Sequence, residues 1–251
     1  MYSPISWMGS KRRLAKVILP HFPVHQCYVE PFAGSGALLF QRAEPAPAEV
    51  LNDINGDIVN FFRVAKHHLN EFCNQFRWAI SSRQIFDWLK STPPETLTDI
   101  QRAARFFYLQ KLTFGGNLTG RSFGTSTSSK PHLNLVRLEE CMSEVHTRLS
   151  YVNIEQLDWQ KCVERYDRPH TLFFLDPPYF QVAGYGKKFN LADYKALVTA
   201  MSTIKGKALL TINDHKEMRK VFGKFKQTPM KIIYRNGSKP KPATELLISN
   251  F

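Results

Sequence analysis

The chain of 251 residues has few cysteines, and their arrangement excludes two classes of protein. They are far apart in the sequence, and no two of them form a C-x-x-C pair. We therefore expect neither a disulfide-stabilised secreted domain nor a cysteine-based zinc site, and the pattern favours a reducing compartment. The eight histidines also lack the spacing of metal ligands, so no bound metal is expected. The four cysteines are Cys27, Cys73, Cys141 and Cys162.

Long uncharged apolar segments are missing as well. No run of about 18 apolar residues occurs, which excludes a membrane-spanning helix. The opening stretch, MYSPISWMGSKRR, has no apolar segment ahead of a cleavage site, so no signal peptide is predicted. With 43% hydrophobic residues and 19 Phe, the chain can build a sizeable core, and long disorder is not expected.

Acidic residues are scarce relative to basic ones. The chain has 34 Lys and Arg against 21 Asp and Glu, a net charge of +13. Such an excess is typical of proteins that bind a polyanion, although a basic enzyme with a small substrate can share it. The excess lies in residues 61–150, with 12 basic against 7 acidic side chains, and in residues 181–251, with 14 against 4. We therefore expect two basic surfaces beside a nearly neutral centre.

Strand and helix patterns alternate at both ends of the chain. Residues 27–30 and 49–52 are predicted strands, separated by a glycine loop and a helix from residue 37. Helices are also predicted over 10–19 and from residue 55. This order predicts an α/β sheet. Later strands are predicted at 152–154, 171–175, 208–212, 231–234 and 245–248, with helices at about 191–204 and 214–222 between them.

The middle of the chain, residues 61–149, differs in character. It has helical periodicity at 70–80, 98–112 and 134–149. A Gly/Ser/Thr-rich segment over 114–131 predicts an irregular loop or hairpin. We therefore predict one sheet domain, residues 1–60 and 150–251, that is interrupted by a helical insertion over residues 61–149.

A short glycine loop, Phe32-Ala33-Gly34-Ser35-Gly36, follows the first strand. Glycines permit a tight turn and a close approach of backbone to a ligand at a helix N-terminus. The dinucleotide-binding fingerprint fails, because Leu39 stands where it needs a third glycine. Asp53 ends the next strand, where an acid can accept hydrogen bonds from ribose hydroxyls. An adenosine-bearing cofactor without a pyrophosphate fits this pattern; the alternative is a structural turn with a helix-capping acid.

The apolar strand over 171–175 ends in Asp176-Pro177-Pro178-Tyr179. Ligands of α/β sheets bind at such carboxyl ends of strands. The prolines fix φ and hold neighbouring carbonyls as rigid acceptors. The acid adds a second acceptor, and the tyrosine adds a flat face. This combination suits an exocyclic amino group on a planar base; a proline-rich turn without chemistry is the alternative.

These segments, in this order, resemble the Dam-like (D12 class) DNA adenine-N6 methyltransferases. The resemblance implies S-adenosylmethionine (SAM) as the methyl donor and target recognition by the insertion. It implies a Rossmann-like, mostly parallel sheet of seven strands with one antiparallel strand. It also implies a cytoplasmic enzyme of a bacterial or phage-infected cell that acts as a monomer on double-stranded DNA, with or without a restriction partner. The matching segments are Trp7-Met8-Gly9-Ser10-Lys11, Glu30-Pro31 with the glycine loop, Asn52-Asp53-Ile54-Asn55, Asp176–Tyr179 and residues 245–250.

The resemblance implies a set of cofactor-binding residues. Within it, Asp53 binds the ribose, and Asp158 either meets the cofactor adenine or caps a helix. Lys11 belongs to the N-terminal cofactor motif, or else is a surface charge. The set is Trp7, Lys11, Glu30, Pro31, Phe32, Ala33, Gly34, Ser35, Gly36, Asp53, Ile54, Leu157, Asp158 and Asp176.

The catalytic residues by resemblance are Asp176, Pro177, Pro178 and Tyr179. The adenine amino nitrogen is a poor nucleophile because its lone pair is delocalised, and the base must leave the duplex to be reached. Tyr179 would stack on it, while the Asp176 carboxylate and the Pro177 carbonyl accept its two amino hydrogens. Transfer is then direct and in line, and positioning and electrostatics account for most of the rate.

Six basic residues and no acid lie between Ile100 and Leu138. The polar loop among them carries side chains that read phosphates and base edges. Residues 180–190 are expected to be a mobile flap that closes over the base. The target stays open: GATC, another sequence or relaxed. The predicted DNA-binding residues are Lys111, Asn117, Thr119, Arg121, Ser122, Lys130, Lys187 and Lys188.

Two other functions remain as alternatives. The same chemistry could act on RNA adenine or cytosine N4, although Asp rather than Ser at position 176 and the motif order disfavour cytosine. The chain could also be a DNA-binding module that has lost catalysis, which the intact tetrapeptide and glycine loop disfavour.

Overall fold

A computed structural model describes residues 1–118, 120–125, 127, 132–182, 189–234 and 241–251. The strands of this part of the chain form one sheet of seven. They are β1 (Cys27–Glu30), β2 (Ala48–Asn52), β3 (Val152–Glu155), β4 (Thr171–Leu175), β5 (Lys207–Asn213), β6 (Lys226–Tyr234) and β7 (Lys241–Ser249).

Helices lie between most of these strands. Short 3₁₀ turns flank several of them, at Lys11–Arg13, Leu19–His21, Pro94–Thr96 and Phe114–Gly116. The helices are α1 (Ala15–Ile18), α2 (Ala37–Gln41), α3 (Gly56–His67), α4 (Leu69–Asn74), α5 (Arg83–Ser91), α6 (Asp99–Leu112), α7 (Leu138–Leu149), α8 (Trp159–Tyr166), α9 (Leu191–Thr203) and α10 (Lys216–Val221).

The strand order across the sheet is β3-β2-β1-β4-β5-β7-β6. Strands β3, β2, β1, β4 and β5 pair in parallel, whereas β7 pairs antiparallel with both β5 and β6. The expected Rossmann-like sheet of seven strands with one antiparallel strand is therefore confirmed. Because parallel strands end at the same edge, the segments after β1, β2 and β4 meet there.

Both faces of the sheet are covered, as β4 shows. Leu172 and Phe174 pack in a core with residues of α2, α3, α6 and α7. Phe173 and Leu175 point to the opposite face and pack with residues of α8, α9 and α10. Burial on both sides explains why this strand is apolar at every position after its first.

The helical region α4 to α7 packs on α3 rather than standing apart from the sheet. Phe61 of α3 stacks on Phe107 of α6, with ring centroids 5.7 Å apart and an interplanar angle of 19°. The expected boundary at residue 61 falls inside α3. The division into a sheet domain and a 61–149 insertion stays a prediction.

Several local predictions differ from the structure. The helix expected over 10–19 divides into a 3₁₀ turn and the short α1, and the helix expected over 70–80 already ends at Asn74. Helix α5 was not predicted, although Ile85, Phe86 and Leu89 have helical spacing and face the core. The expected hairpin over 114–131 has a base in the described residues, where Thr113 and Phe123 form an antiparallel bridge.

Among the helices of the described residues, none is both long and apolar enough to cross a membrane.

Candidate active site

A cavity of about 340 Å³ lies where β1, β2 and β4 end. Its wall brings together the N-terminal segment, the glycine loop, the residues after β2 and the start of the Asp176–Tyr179 tetrapeptide. Gly36, Pro177 and Tyr179 are predicted site residues that do not line it. The predicted residues that do line it are Trp7, Lys11, Glu30, Pro31, Phe32, Ala33, Gly34, Ser35, Asp53, Ile54, Leu157, Asp158, Asp176 and Pro178.

The glycine loop has a backbone conformation that needs glycine. Gly34 and Gly36 have φ angles of +47° and +63°, in the left-handed region that side chains disfavour. A Cβ at Gly34 would also lie 2.5 Å from Nε1 of Trp7. The indole of Trp7 can therefore pack directly on the loop and form one wall of the cavity.

Asp53 ties this loop to the end of β2. Its Oδ2 accepts a hydrogen bond from the Gly34 amide at 2.8 Å, and its Oδ1 accepts one from the Asn55 amide at 2.9 Å. Burial raises the pKa of the Asp53 carboxyl, while these backbone donors oppose the shift. Asp53 thus has a structural role and still faces the cavity.

Asp158 also combines both of its proposed roles. Its Oδ1 accepts a hydrogen bond from the Gln160 amide at 3.0 Å, which caps α8. The same residue lines the cavity beside Leu157. Capping a helix and facing a ligand are therefore compatible at this position.

The Asp176 carboxylate is held by two donors. The ammonium of buried Lys11 lies 2.7 Å from Oδ1 and 2.8 Å from Oδ2, and the Thr211 hydroxyl donates to Oδ1 at 2.8 Å. Burial raises the pKa of Asp176, and the charge of Lys11 opposes this rise. Lys11 is therefore no surface charge: it contacts the predicted catalytic carboxylate inside the cavity wall.

Tyr179 and Pro178 are fixed by neighbouring side chains. The Tyr179 ring is only 6% exposed, its hydroxyl donates to Glu245, and the Lys11 ammonium lies 4.6 Å from its centroid. The Pro178 carbonyl accepts a hydrogen bond from the Tyr194 hydroxyl at 2.7 Å. The Tyr179 ring is therefore almost fully covered by protein groups, and stacking of a base on it stays a prediction.

Comparisons with known proteins identify the family of the chain. The family model of the D12 class N6 adenine-specific DNA methyltransferases matches residues 7–236. The chain belongs to this family. The resemblance read from the motifs is thus confirmed, and the protein is a DNA adenine methyltransferase.

Curated relatives match this methyltransferase over most of their length. It is 24% identical to the type II methyltransferase M.CviBI of Paramecium bursaria Chlorella virus NC1A, covering 92% of this chain and 90% of the relative. It is 28% identical to the DNA adenine methylase of Haemophilus influenzae, covering 97% and 91%. The DNA adenine methylase of Escherichia coli K12 is 23% identical over 70% of this chain and 64% of its own.

The predicted DNA-binding residues of the methyltransferase differ in their surroundings. Arg121 is partly buried, with its guanidinium 5.7 Å from the Phe106 centroid and Nη2 donating to Gln110 at 3.4 Å. Lys111 lies in α6 with its ammonium 5.4 Å from the Phe107 centroid. Both therefore contribute to packing, and their DNA contacts stay predictions.

Two further predicted residues lie at the base of the hairpin. The Ser122 carbonyl accepts a hydrogen bond from the Phe114 amide at 3.0 Å, and Asn117 follows the 3₁₀ turn at Phe114–Gly116. Residues 183–188, which include most of the expected flap, lie outside the described residues, as do four predicted contacts: Thr119, Lys130, Lys187 and Lys188.

Sequence reasoning missed three residues that contact the tetrapeptide: Thr211 and Glu245 of the sheet, and Tyr194 of α9. Thr211 is a polar residue in the buried interior of β5, and Glu245 is a charged residue in the buried part of β7. A polar side chain inside a buried strand was the available signal for these two. Cavity-lining residues also missed are Met8, Ser10, Ala37, Leu38, Asn55, Leu118, Trp159, Gln160, Phe174, Phe189 and Asp193.

Among the residues that the structure describes, no three His, Cys, Asp or Glu side chains form a group that could hold a metal ion.

Proposed function

We propose that this enzyme transfers a methyl group from SAM to N6 of an adenine extruded from double-stranded DNA. One observation carries the proposal: the glycine loop with Asp53 and the start of the tetrapeptide with Asp176 line the same cavity. A cofactor at one end and a base at the other would meet inside it. The proposed setting is a monomeric enzyme in the cytoplasm of a bacterial or phage-infected cell.

The cavity residues fit the cofactor. Its volume of about 340 Å³ lies in the range of small-molecule sites. Asp53 and Asp158 offer carboxylate acceptors for the hydroxyl and amino groups of an adenosine, and Ile54 and Leu157 offer apolar surface for its ring. Trp7 and the glycine loop would hold the remainder. The bound cofactor supplies an electrophilic methyl group on a sulfonium.

Asp176 would orient the attacking nitrogen. Lys11 opposes the effect of burial and favours the ionised carboxylate, which can accept an amino hydrogen of the adenine. The Pro177 carbonyl would accept the other hydrogen, so that the nitrogen lone pair points at the methyl group. A strong base is not needed, because the methylated, positively charged nitrogen loses its proton easily.

Recognition of DNA is assigned to the 61–149 insertion. Its loop reaches the site, since Leu118 lines the cavity. Six basic residues and no acid lie between Ile100 and Leu138. These features support a DNA-facing surface beside the pocket, with the target sequence still to be found.

The test is methyl incorporation from labelled SAM into defined duplexes, followed by digestion and identification of the modified base. We expect N6-methyladenine, and methylation-sensitive sequencing then identifies the target. Asp176→Asn should lower the rate about 100-fold or more, because a preorganised polar contact at the reacting atom is lost. Asp167→Asn is the matched control, since Asp167 accepts hydrogen bonds from the Lys205 and Gly206 amides away from the cavity.

Several outcomes would contradict the proposal. Full activity in Asp176→Asn would contradict the role of the Asp176 carboxylate in orienting the adenine amino group. Label found only at cytosine N4, or only in RNA, would show that the substrate is not adenine in double-stranded DNA. SAM binding without transfer to any duplex would indicate a module that has lost catalysis.

A further inference from the structure

A buried carboxylate contacts the tetrapeptide from β7. Glu245 is 2% exposed and accepts a hydrogen bond from the Tyr179 hydroxyl. It lies in the interior of the sheet, where it pairs with Asn213 of β5 and Met230 of β6. Burying a carboxylate costs free energy unless a hydrogen-bond or charge partner compensates. An apolar residue would fill this position at a lower cost, so the carboxylate indicates a role beyond packing.

The hydrogen bond between Tyr179 and Glu245 constrains the aromatic ring on which the extruded base would stack. Apolar contacts alone let a ring slide and tilt, whereas a charge-assisted hydrogen bond at the far end of the ring fixes its position. The other end of the tetrapeptide is fixed in the same manner, with Asp176 held by Lys11 and Thr211. Each end of the tetrapeptide thus has a polar partner on a strand of the sheet, Thr211 for Asp176 and Glu245 for Tyr179.

Glu245 is also coupled to the catalytic carboxylate. Burial raises the pKa of Asp176, Lys11 opposes this, and the nearby Glu245 carboxylate raises it further. Glu245 therefore lies close enough to influence the charge of the site as well as the geometry of Tyr179.

We propose that Glu245 is a positioning residue, which acts through the Tyr179 hydroxyl to hold the ring where it stacks on the extruded base. This inference rests on the proposed function, since it presumes that Tyr179 receives a base. Glu245 itself touches neither substrate nor cofactor in this scheme.

The test compares Glu245→Gln, Tyr179→Phe and the double variant. Single-turnover rates are measured with saturating SAM and a duplex that carries the target. We expect each single variant to lose roughly 10- to 100-fold, as expected for a misplaced reacting group, with the KM for SAM within about twofold of wild type. Both single variants break the same hydrogen bond between Tyr179 and Glu245. The rate of the double variant should therefore fall no further than that of the slower single variant.

A spectroscopic readout separates positioning from stability. With 2-aminopurine at the target position, extrusion raises the fluorescence and stacking on an aromatic ring quenches it. We expect brighter complexes for Glu245→Gln than for wild type, because the extruded base stacks less well. Glu49→Gln is the matched control: Glu49 is also a buried carboxylate, paired with Arg42 and Arg148, and its loss should lower Tm without changing rate or fluorescence.

The inference is overturned if Glu245→Gln matches Glu49→Gln, with a lower Tm and an unchanged rate and fluorescence. Losses that multiply in the double variant would overturn it too. Should Glu245→Gln fail to fold, Tyr179→Phe keeps the ring and removes only the hydroxyl, and an unchanged rate in it has the same meaning. A wild-type enzyme without activity on any duplex would instead overturn the proposed function.

Discussion

At the scale of single residues, several side chains at the site make two kinds of contact at once. Asp53 holds the glycine loop and faces the cavity, and Asp158 caps a helix and faces the cavity. Lys11 is the clearest case, because the motif assigned it to the cofactor whereas its ammonium contacts Asp176. A sequence motif identifies which residues belong to a site, but their partners depend on distances between segments far apart in the chain.

Thr211→Val is predicted to slow catalysis in a protein that still folds, with a lower Tm because a buried hydrogen bond is lost. Valine has nearly the same shape as threonine but cannot donate to Asp176, so the carboxylate loses one of its two orienting partners. A hydrogen bond to a charged group contributes about 1.5–3 kcal/mol, so a loss of roughly 10- to 100-fold in kcat is expected. Single-turnover rates measure the effect on catalysis, and thermal melting measures the effect on stability.

The control for this prediction is Thr171→Val. Thr171 is equally buried, in β4, and its hydroxyl donates to the Tyr166 carbonyl at 2.8 Å rather than to the site. We expect a lower Tm and an unchanged kcat. Equal rates for Thr211→Val and wild type would mean that Lys11 alone orients Asp176.

At the scale of elements, the end of β1 is joined to α2 by a buried acid. Glu30 accepts hydrogen bonds from the Tyr28 hydroxyl at 2.8 Å and from the Leu39 amide at 3.0 Å. Burial raises its pKa from 4.5 to about 7, although both hydrogen bonds oppose the shift. The strand and helix that form the glycine loop are therefore connected through a group that titrates near neutral pH.

This connection predicts a pH dependence of stability. Between pH 4.5 and about 7 the folded state keeps the Glu30 proton that the unfolded state has released, so the free energy of unfolding falls as pH rises. The shift corresponds to about 3 kcal/mol. Denaturant unfolding of wild type and Glu30→Gln across this range should show that their difference changes by about this amount, with wild type favoured at the acidic end.

The comparison has an exposed control, Glu140→Gln. Glu140 pairs with Arg137 on the surface, and this contact holds its pKa below the usual range. Its removal should leave the wild-type pH slope between 4.5 and 7 almost unchanged. Parallel curves for wild type and Glu30→Gln would show that Glu30 is ionised in the folded state.

Elements were predictable to different degrees. Strand β4 was predicted at its observed bounds, because a strand covered on both faces is continuously apolar. Helix α6 was predicted to within one residue, and its capping box at Thr98 and Gln101 explains the sharp start. Helix α5 was missed although its apolar residues Ile85, Phe86 and Leu89 recur at helical spacing, so the signal was present in the sequence.

At the scale of the whole molecule, charge separates the pocket from its surroundings. Residues 1–60 carry 5 basic and 5 acidic side chains, and residues 151–180 carry 3 against 5. The regions that form most of the cavity wall thus have net charges of 0 and −2, and the rest of the chain carries +15. This charge distribution matches a DNA duplex that contacts both basic regions while one of its bases enters the nearly neutral pocket.

The charge predicts strongly salt-dependent DNA binding. Each phosphate neutralised should contribute a slope of about −0.9 to a plot of log affinity against log salt concentration. Arg83 and Lys90 of α5 lie beside the hairpin, where they donate to Thr125 and to the Arg121 carbonyl. Changing both to Gln should make the slope shallower, as measured by fluorescence anisotropy of a labelled duplex.

Arg165→Gln is the control for the salt slope. Arg165 pairs with Glu155 at 3.5 Å in the region of net negative charge, so its removal should leave the slope unchanged. Affinity that does not fall with salt would mean that the basic excess serves another purpose than binding DNA.

The sequence by itself determined the family, the alternation of strands and helices, and 14 of the 25 residues that line the cavity, because these depend on local order and periodicity. The glycine loop needs its glycines, and a strand buried on two faces needs its apolar run, whatever surrounds them. Only the tertiary structure decided which partner each polar group has. Thr211 lies near the carboxyl end of β5, and Glu245 lies beside that end on the antiparallel strand β7. Lys11 comes from the N-terminal 3₁₀ turn, so three distant segments contact the tetrapeptide. The spacing of residues in the sequence does not predict these contacts, because they join segments that become adjacent only after the sheet has formed.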